Sequence, residues 1–181
     1  MAVTVSPDEF TLVFYNATDI GAIGQEILDH LGITGSLHIE INETTPLSRI
    51  SVARVADGSL KVSAESGAFE DTQRPRAFSA AACATSLTRA LLRLRDREDG
   101  SFADAPADGE LSLAQTSAWD LYVIGRFSRM GYPINRQRWL YNFRNRHGFT
   151  DATDEVFDRI LGAEQLTWGR LDELSHSAIA A

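Results

Sequence analysis

The spacing of the hydrophobic residues changes near residue 110, and this change limits the folds open to the chain. Before it, short segments alternate apolar and polar residues, as in Leu37–Asn42, which is typical of a strand with one buried face. After it, apolar residues recur in steps of three and four, the spacing of helices. Strands confined to the first half, and helices alone in the second, indicate the α+β class.

The first half predicts the element order β-α-β-β-β-α. Asp57-Gly58 lies between two β-rich runs and is a strong hairpin signal, and the half-polar strands are typical of antiparallel sheets. We therefore expect a small, mostly antiparallel sheet with its helices on one face. The predicted segments are a strand within Val3–Asn16, which contains the β-rich run Phe10–Asn16, a helix ending at Leu31 before Gly32, strands at 35–42, 49–55 and 59–65, and a helix at 77–97.

The second half predicts four helices, at 113–130, 135–146, 153–161 and 163–176. Apolar residues surround most of the first of these helices, so we expect it at the centre of a packed unit. The helical half, 111–176, should pack against the α+β half, 1–98, as one cooperative domain. The acidic segment 99–110 is predicted to be a loop or linker, and 177–181 a flexible tail.

The composition favours a soluble cytoplasmic protein. The net charge is −8, which opposes binding to anionic lipid or nucleic acid by the surface as a whole. The start of the chain lacks the basic residues and the apolar run of a signal peptide, and no window is apolar enough for a membrane span. The single cysteine, Cys83, lies in an alanine-rich helix and is expected to be a small buried apolar residue.

Neither a metal nor a cofactor is expected. The four histidines share no ligand spacing, and the single cysteine has no partner to form a ligand pair. Asp19–Gly24 matches only part of a dinucleotide-binding turn, because Asp19 places a carboxylate where the pyrophosphate would bind.

Three residues are weak candidates for catalysis. His38 and Glu40 are two residues apart on one strand face, where an acid–base pair could form, although a solvated strand face is the simpler explanation, because polar alternation on a strand needs no functional cause. Asp120 lies in the mostly apolar helix, where loss of water around the carboxylate favours a general acid, whereas a structural ion pair is the alternative.

The segment 121–150 differs in charge from the rest of the chain. It holds six arginines and no acid, so the other 151 residues carry a net charge of −14. Arginine binds phosphate and carboxylate through two parallel hydrogen bonds, and neighbouring aromatic rings can stack on bases. The predicted anion- or partner-binding residues are Arg126, Arg129, Arg136, Arg138, Arg144, Arg146, Trp139 and Tyr141.

The same segment partly matches a helix-turn-helix unit. A helix ending near Gly131 precedes a second helix that carries Arg136, Gln137 and Arg138, residue types that contact base edges. Phe127 stands where a small residue is usual, and Gln137 where an apolar one is expected. The alternative is internal pairing, because the acids of 151–173 would meet these arginines across an antiparallel helix contact.

Two functions from different classes follow, and whether the chain is an enzyme stays open. The first is a non-catalytic interaction protein that binds nucleic acid or an acidic protein surface through the arginine and aromatic segment. The second is a small enzyme or ligand-binding protein for an anionic small molecule, with a site between His38 and Glu40 on the sheet's polar face and the helical half. A homo-oligomer with Trp139 or Trp168 in its interface is a third interpretation.

Overall fold

The structure is a computed structural model that describes residues 2–179 and divides into two compact units, one ending at Leu94 and one beginning at Arg95. The α+β class is confirmed. The elements are β1 (Val3–Ser6), α1 (Ala17–Leu31), β2 (Leu37–Asn42), β3 (Ile50–Arg54), β4 (Leu60–Glu65), β5 (Glu70–Asp71), β6 (Arg74–Phe78), α2 (Ala80–Glu98), α3 (Leu113–Arg129), α4 (Arg136–His147), α5 (Asp151–Gly162) and α6 (Trp168–Ile179). Within residues 2–179, no helix combines the length and the apolar composition that crossing a membrane requires.

The main sheet of the N-terminal unit has the strand order β1-β2-β4-β3 and is mixed. β1, β2 and β4 are parallel, and only β3 pairs antiparallel, with β4. The prediction of a mostly antiparallel sheet is therefore wrong. Helix α1 carries the chain from β1 back to a parallel β2, and the segment 43–49 carries it past β4 to the far edge of the sheet.

The two faces of this sheet differ in polarity. Gly24 of α1 lies against Val3, Leu37 and Ile39, so the apolar face of the sheet is covered by α1. On the opposite face, Thr4, His38 and Lys61 are paired across β1, β2 and β4. Because this face is polar, apolar and polar residues alternate along the strands as they do in an antiparallel sheet with one solvent-exposed face. The alternation therefore does not reveal the strand direction.

The first strand, β1, lies within the predicted segment Val3–Asn16, but the β-rich run Phe10–Asn16 is not itself a strand. The backbone N–H groups of Thr11 and Leu12 donate to the Glu43 carboxylate at 2.9 and 2.6 Å, and these hydrogen bonds lower the pKa of Glu43. Phe14 makes an isolated bridge to Ala77. Asn16 ends the run by accepting hydrogen bonds from the first turn of α1, as an N-cap should.

The C-terminal unit is built around α3, which packs against α4, α5 and α6, as its apolar surroundings in the sequence predict. Gly125 sits where α3 and α5 are closest. A Cβ atom at this position would lie 2.1 Å from the backbone oxygen of Leu161, so only glycine permits this contact.

The acidic loop 99–110 belongs to the C-terminal unit, because the division between the units falls within α2, before the loop begins. Phe102 is fully buried and stacks on Trp119 with ring centroids 4.7 Å apart. Arg97 donates to the carbonyl oxygens of Ala105 and Pro106 at 3.1 and 2.8 Å. The loop is thus packed at one position and hydrogen-bonded at another. At the other end of the unit, residues 177–179 belong to α6.

Candidate anion-binding face

Helix α4 positions the residues that the sequence singles out. Asn135 begins it by accepting a hydrogen bond from the backbone of Arg138, and Gly148, with φ +117°, ends it in a conformation that side chains rarely adopt. Leu140, Phe143 and His147 form its buried line. The rest of the helix carries four arginines and no acid.

Two of these arginines pair with acids of α5. Arg136 forms an ion pair with Asp158, and Arg144 forms one with Asp154 through two hydrogen bonds. The contact lowers the pKa of Asp154 and raises the pKa of Arg144. The hypothesis of internal pairing with the acids that follow is confirmed for these two arginines.

The two arginines at the end of α3 are also occupied. Arg126 makes two hydrogen bonds to the buried Asp96 carboxylate, at 2.7 and 2.6 Å. Arg129 donates to the carbonyl oxygens of Leu161 and Ala163 at 3.0 and 2.6 Å, where the last carbonyls of α5 lack helical partners. Both guanidinium groups are therefore held by partners within the C-terminal unit.

The remaining two arginines, Arg138 and Arg146, differ from the other four. Both are exposed, and within residues 2–179 neither guanidinium makes an ion pair or a side-chain hydrogen bond. With 3.6 residues per turn, they share about 140° of the helix circumference with three other exposed residues. We call this surface, together with the residue that follows the helix cap, the α4 face: Arg138, Tyr141, Asn142, Asn145, Arg146 and Phe149.

The aromatic part of the α4 face is unusually exposed. Tyr141 is 58% exposed and Phe149 is 63% exposed, and their rings meet edge to face with centroids 6.1 Å apart. Trp139, which the sequence also suggests, is half-buried and lies at the edge of this face, about 20° from Arg146 around the helix. Phe149 was not among the predicted binding residues. It lies four residues after Asn145, a spacing that places two residues on one face of a helix, but Gly148 between them ends the helix.

The segment predicted as a helix-turn-helix forms two consecutive helices, α3 and α4, and the helix-turn-helix unit itself stays a prediction. Six residues, 130–135, separate α3 from α4, which is longer than the usual turn of three or four. Phe127 stacks on Tyr132 of this connection, with ring centroids 4.4 Å apart. The small residue that allows close helix approach, Gly125, lies against α5.

The weak catalytic candidates have local partners. His38 is 2.9 Å from the Thr4 hydroxyl and 3.3 Å from the Ser6 hydroxyl, and Glu40 pairs with Lys61 at 2.8 Å. Lys61 lowers the pKa of Glu40 chiefly through this contact, and Lys61 and Glu40 are both about half exposed. Asp120, on α3, is partly buried and interacts with another residue. The enzyme interpretation stays a prediction.

One serine–histidine pair was not anticipated. His147 Nε2 lies 2.8 Å from Ser175 Oγ, and Nδ1 lies 3.0 Å from the carbonyl oxygen of Phe143. Since a carbonyl only accepts, Nδ1 carries the proton and Nε2 accepts from the serine hydroxyl. Both residues are buried, at 5% and 1% exposure, so this pair joins α4 to α6 within the core.

Burial of His147 gives the C-terminal unit a pH dependence. Burial lowers the pKa of His147 below the value of about 6.5 of an unfolded chain, so the unfolded state binds the proton first. We expect the free energy of unfolding to fall as the pH drops below about 6.5, by up to about 1.4 kcal/mol per pH unit. Urea unfolding between pH 7.5 and 5.5, followed by tryptophan fluorescence, measures this slope. His147→Gln should flatten it, whereas the same change at exposed His30 should not.

Among residues 2–179, no group of three or more histidine, cysteine, aspartate or glutamate side chains is arranged to hold a metal ion. Cys83 is fully buried, as expected, and burial raises the pKa of its thiol. Comparison with known proteins finds no match to any family model, curated protein or solved structure.

Proposed function

We propose that the chain is a non-catalytic interaction protein that binds an anionic partner through the α4 face. The observation that carries this proposal is the division of the six arginines. Four are held by acids or carbonyl groups of the C-terminal unit, and Arg138 and Arg146 are left exposed on the helix that also carries the exposed Tyr141.

The energetics favour an external partner for these two side chains. An arginine fork binds a carboxylate or phosphate through charge-assisted hydrogen bonds, which are about twice as strong as neutral ones. Exposed aromatic residues are costly surface for a folded chain, and tyrosine and arginine are enriched in the central residues of binding interfaces. The α4 face contains both types and no acid.

Retention on immobilised polyanions tests the proposal. The native chain should be retained at about 50 mM salt on poly-L-glutamate, or on single-stranded or duplex DNA, and released as salt screens the contacts. Arg138→Ala with Arg146→Ala should abolish retention, because the occupied arginines cannot replace them.

A matched control separates this face from net charge. Arg49 and Arg74 are exposed arginines of the N-terminal unit, and replacing both with alanine removes the same charge. This control should be retained like the native chain. Absence of retention on all three polyanions, or equal loss in both double variants, contradicts the proposal.

A further inference from the structure

We propose that the partner of the α4 face is an acidic helical segment of another protein, an inference that rests on the proposed function. On such a segment, two carboxylates seven or eight residues apart would bind Arg138 and Arg146, with an apolar residue between them against Tyr141, whose ring contacts that of Phe149. Three features of the face support this partner.

The first feature is the small number of exposed arginines. Proteins that bind nucleic acid strongly neutralise about six to ten phosphates, and two arginines predict a log–log salt slope of only about −1.4 on a single strand. A longer polyphosphate would extend past the α4 face, and the chain outside 121–150 carries a net charge of −14. A short segment with two carboxylates pairs with both arginines and does not extend over the acidic surface, which would repel a longer polyanion.

The second feature is the spacing. Arg138 and Arg146 are eight residues apart on one helix, which places their Cα atoms about 12 Å apart along its axis. A partner helix lying along α4 presents carboxylates about 10.5 Å apart at seven-residue spacing, or about 12 Å apart at eight. The two charge pairs can therefore form at the same time.

The third feature is what lies beside the two charges. Tyr141 and Phe149 offer two rings in contact with each other, and Asn142 and Asn145 offer amides that donate and accept hydrogen bonds. Aromatic anchors with a charged rim are the usual anatomy of a protein interface, and a helix bound along a face uses anchors at steps of three and four.

Peptide display tests this inference. A library of random 16-residue peptides is selected on the native chain and counter-selected on the Arg138→Ala, Arg146→Ala variant. We expect enriched peptides to carry two acids seven or eight residues apart with an apolar residue between them. Their affinity, measured by fluorescence anisotropy, should exceed that of a 30-residue oligothymidylate.

A single aromatic substitution provides the specificity control. Tyr141→Ala should weaken the selected peptides at least tenfold, since a central aromatic anchor commonly contributes this much. Leu113→Ala removes another exposed apolar side chain, at the start of α3, and should change nothing. Both sites are exposed, so neither change should unfold the chain.

The failures of the two proposals are distinguishable. Enriched peptides without the acid spacing, no enrichment, or oligothymidylate binding as tight as the peptides would overturn the acidic helix while retention on polyanions still supports the proposed function. If neither peptides nor polyanions bind, both proposals are wrong.

Discussion

Replacing Asp96 with alanine is expected to lower the free energy of unfolding of the C-terminal unit by about 3–5 kcal/mol, because it leaves Arg126 without its counter-charge in a mostly buried site. Asp96 is 3% exposed and accepts three hydrogen bonds, two from Arg126 and one from Trp119 Nε1 at 2.8 Å. The Arg126 guanidinium also lies over the Tyr122 ring, 4.2 Å from its centroid. One carboxylate thus connects the end of α2 to both Trp119 and Arg126 of α3.

Tryptophan fluorescence during urea unfolding measures this effect. The three tryptophans, Trp119, Trp139 and Trp168, are all in the C-terminal unit, so their signal reports on that unit. Asp108→Ala is the control, because Asp108 pairs with Arg97 at a largely exposed position, and such pairs contribute about 0–1 kcal/mol. Equal losses for the two variants would show that Asp96 is not a buried anchor.

Phe102→Ala is expected to cost about 3–5 kcal/mol, although it lies in a loop of acidic and small residues. Its ring is fully buried and contacts three aromatic residues, with centroid distances of 4.7 Å to Trp119, 5.9 Å to Tyr122 and 6.2 Å to Trp168. Removal leaves a cavity among rigid rings that cannot collapse to fill it.

The same urea titration, run beside Phe149→Ala, distinguishes a packed loop from a mobile one. Phe149 is 63% exposed, so its truncation should cost much less. A loss below about 1 kcal/mol at Phe102 would mean that the loop is not held in the core. Combining Phe102→Ala with Asp96→Ala should give a non-additive loss, because both side chains contact Trp119.

The positions of most helices could be read from the sequence because their apolar residues keep one period over many turns, although the last helix begins at Trp168 and not at 163 as predicted. The strand order could not, because the alternation in β1, β2 and β4 reports which face is wet and carries no information on strand direction. Phe102 was missed because a single aromatic residue has no period, so its burial depends on rings that come from α3 and α6.

Part of the candidate site was predictable from helical phase. Arg136 and Arg144 lie beside the buried line Leu140, Phe143 and His147, whereas Arg138 and Arg146 lie on the opposite side of α4. Composition alone treats these four arginines as equivalent. The roles of Arg126 and Arg129 depend on Asp96 and on the end of α5, which are distant in sequence and were not predictable from it.

Arginine-specific labelling with phenylglyoxal, followed by mass spectrometry, tests most directly whether Arg138 and Arg146 are the accessible arginines of the segment 121–150. The rate of adduct formation at each of the six positions is compared under native conditions and in urea. We predict fast native labelling of Arg138 and Arg146, and slow labelling of Arg126 and Arg144 until the unit unfolds. Native labelling of Arg138 and Arg146 as slow as that of Arg126 would contradict the account.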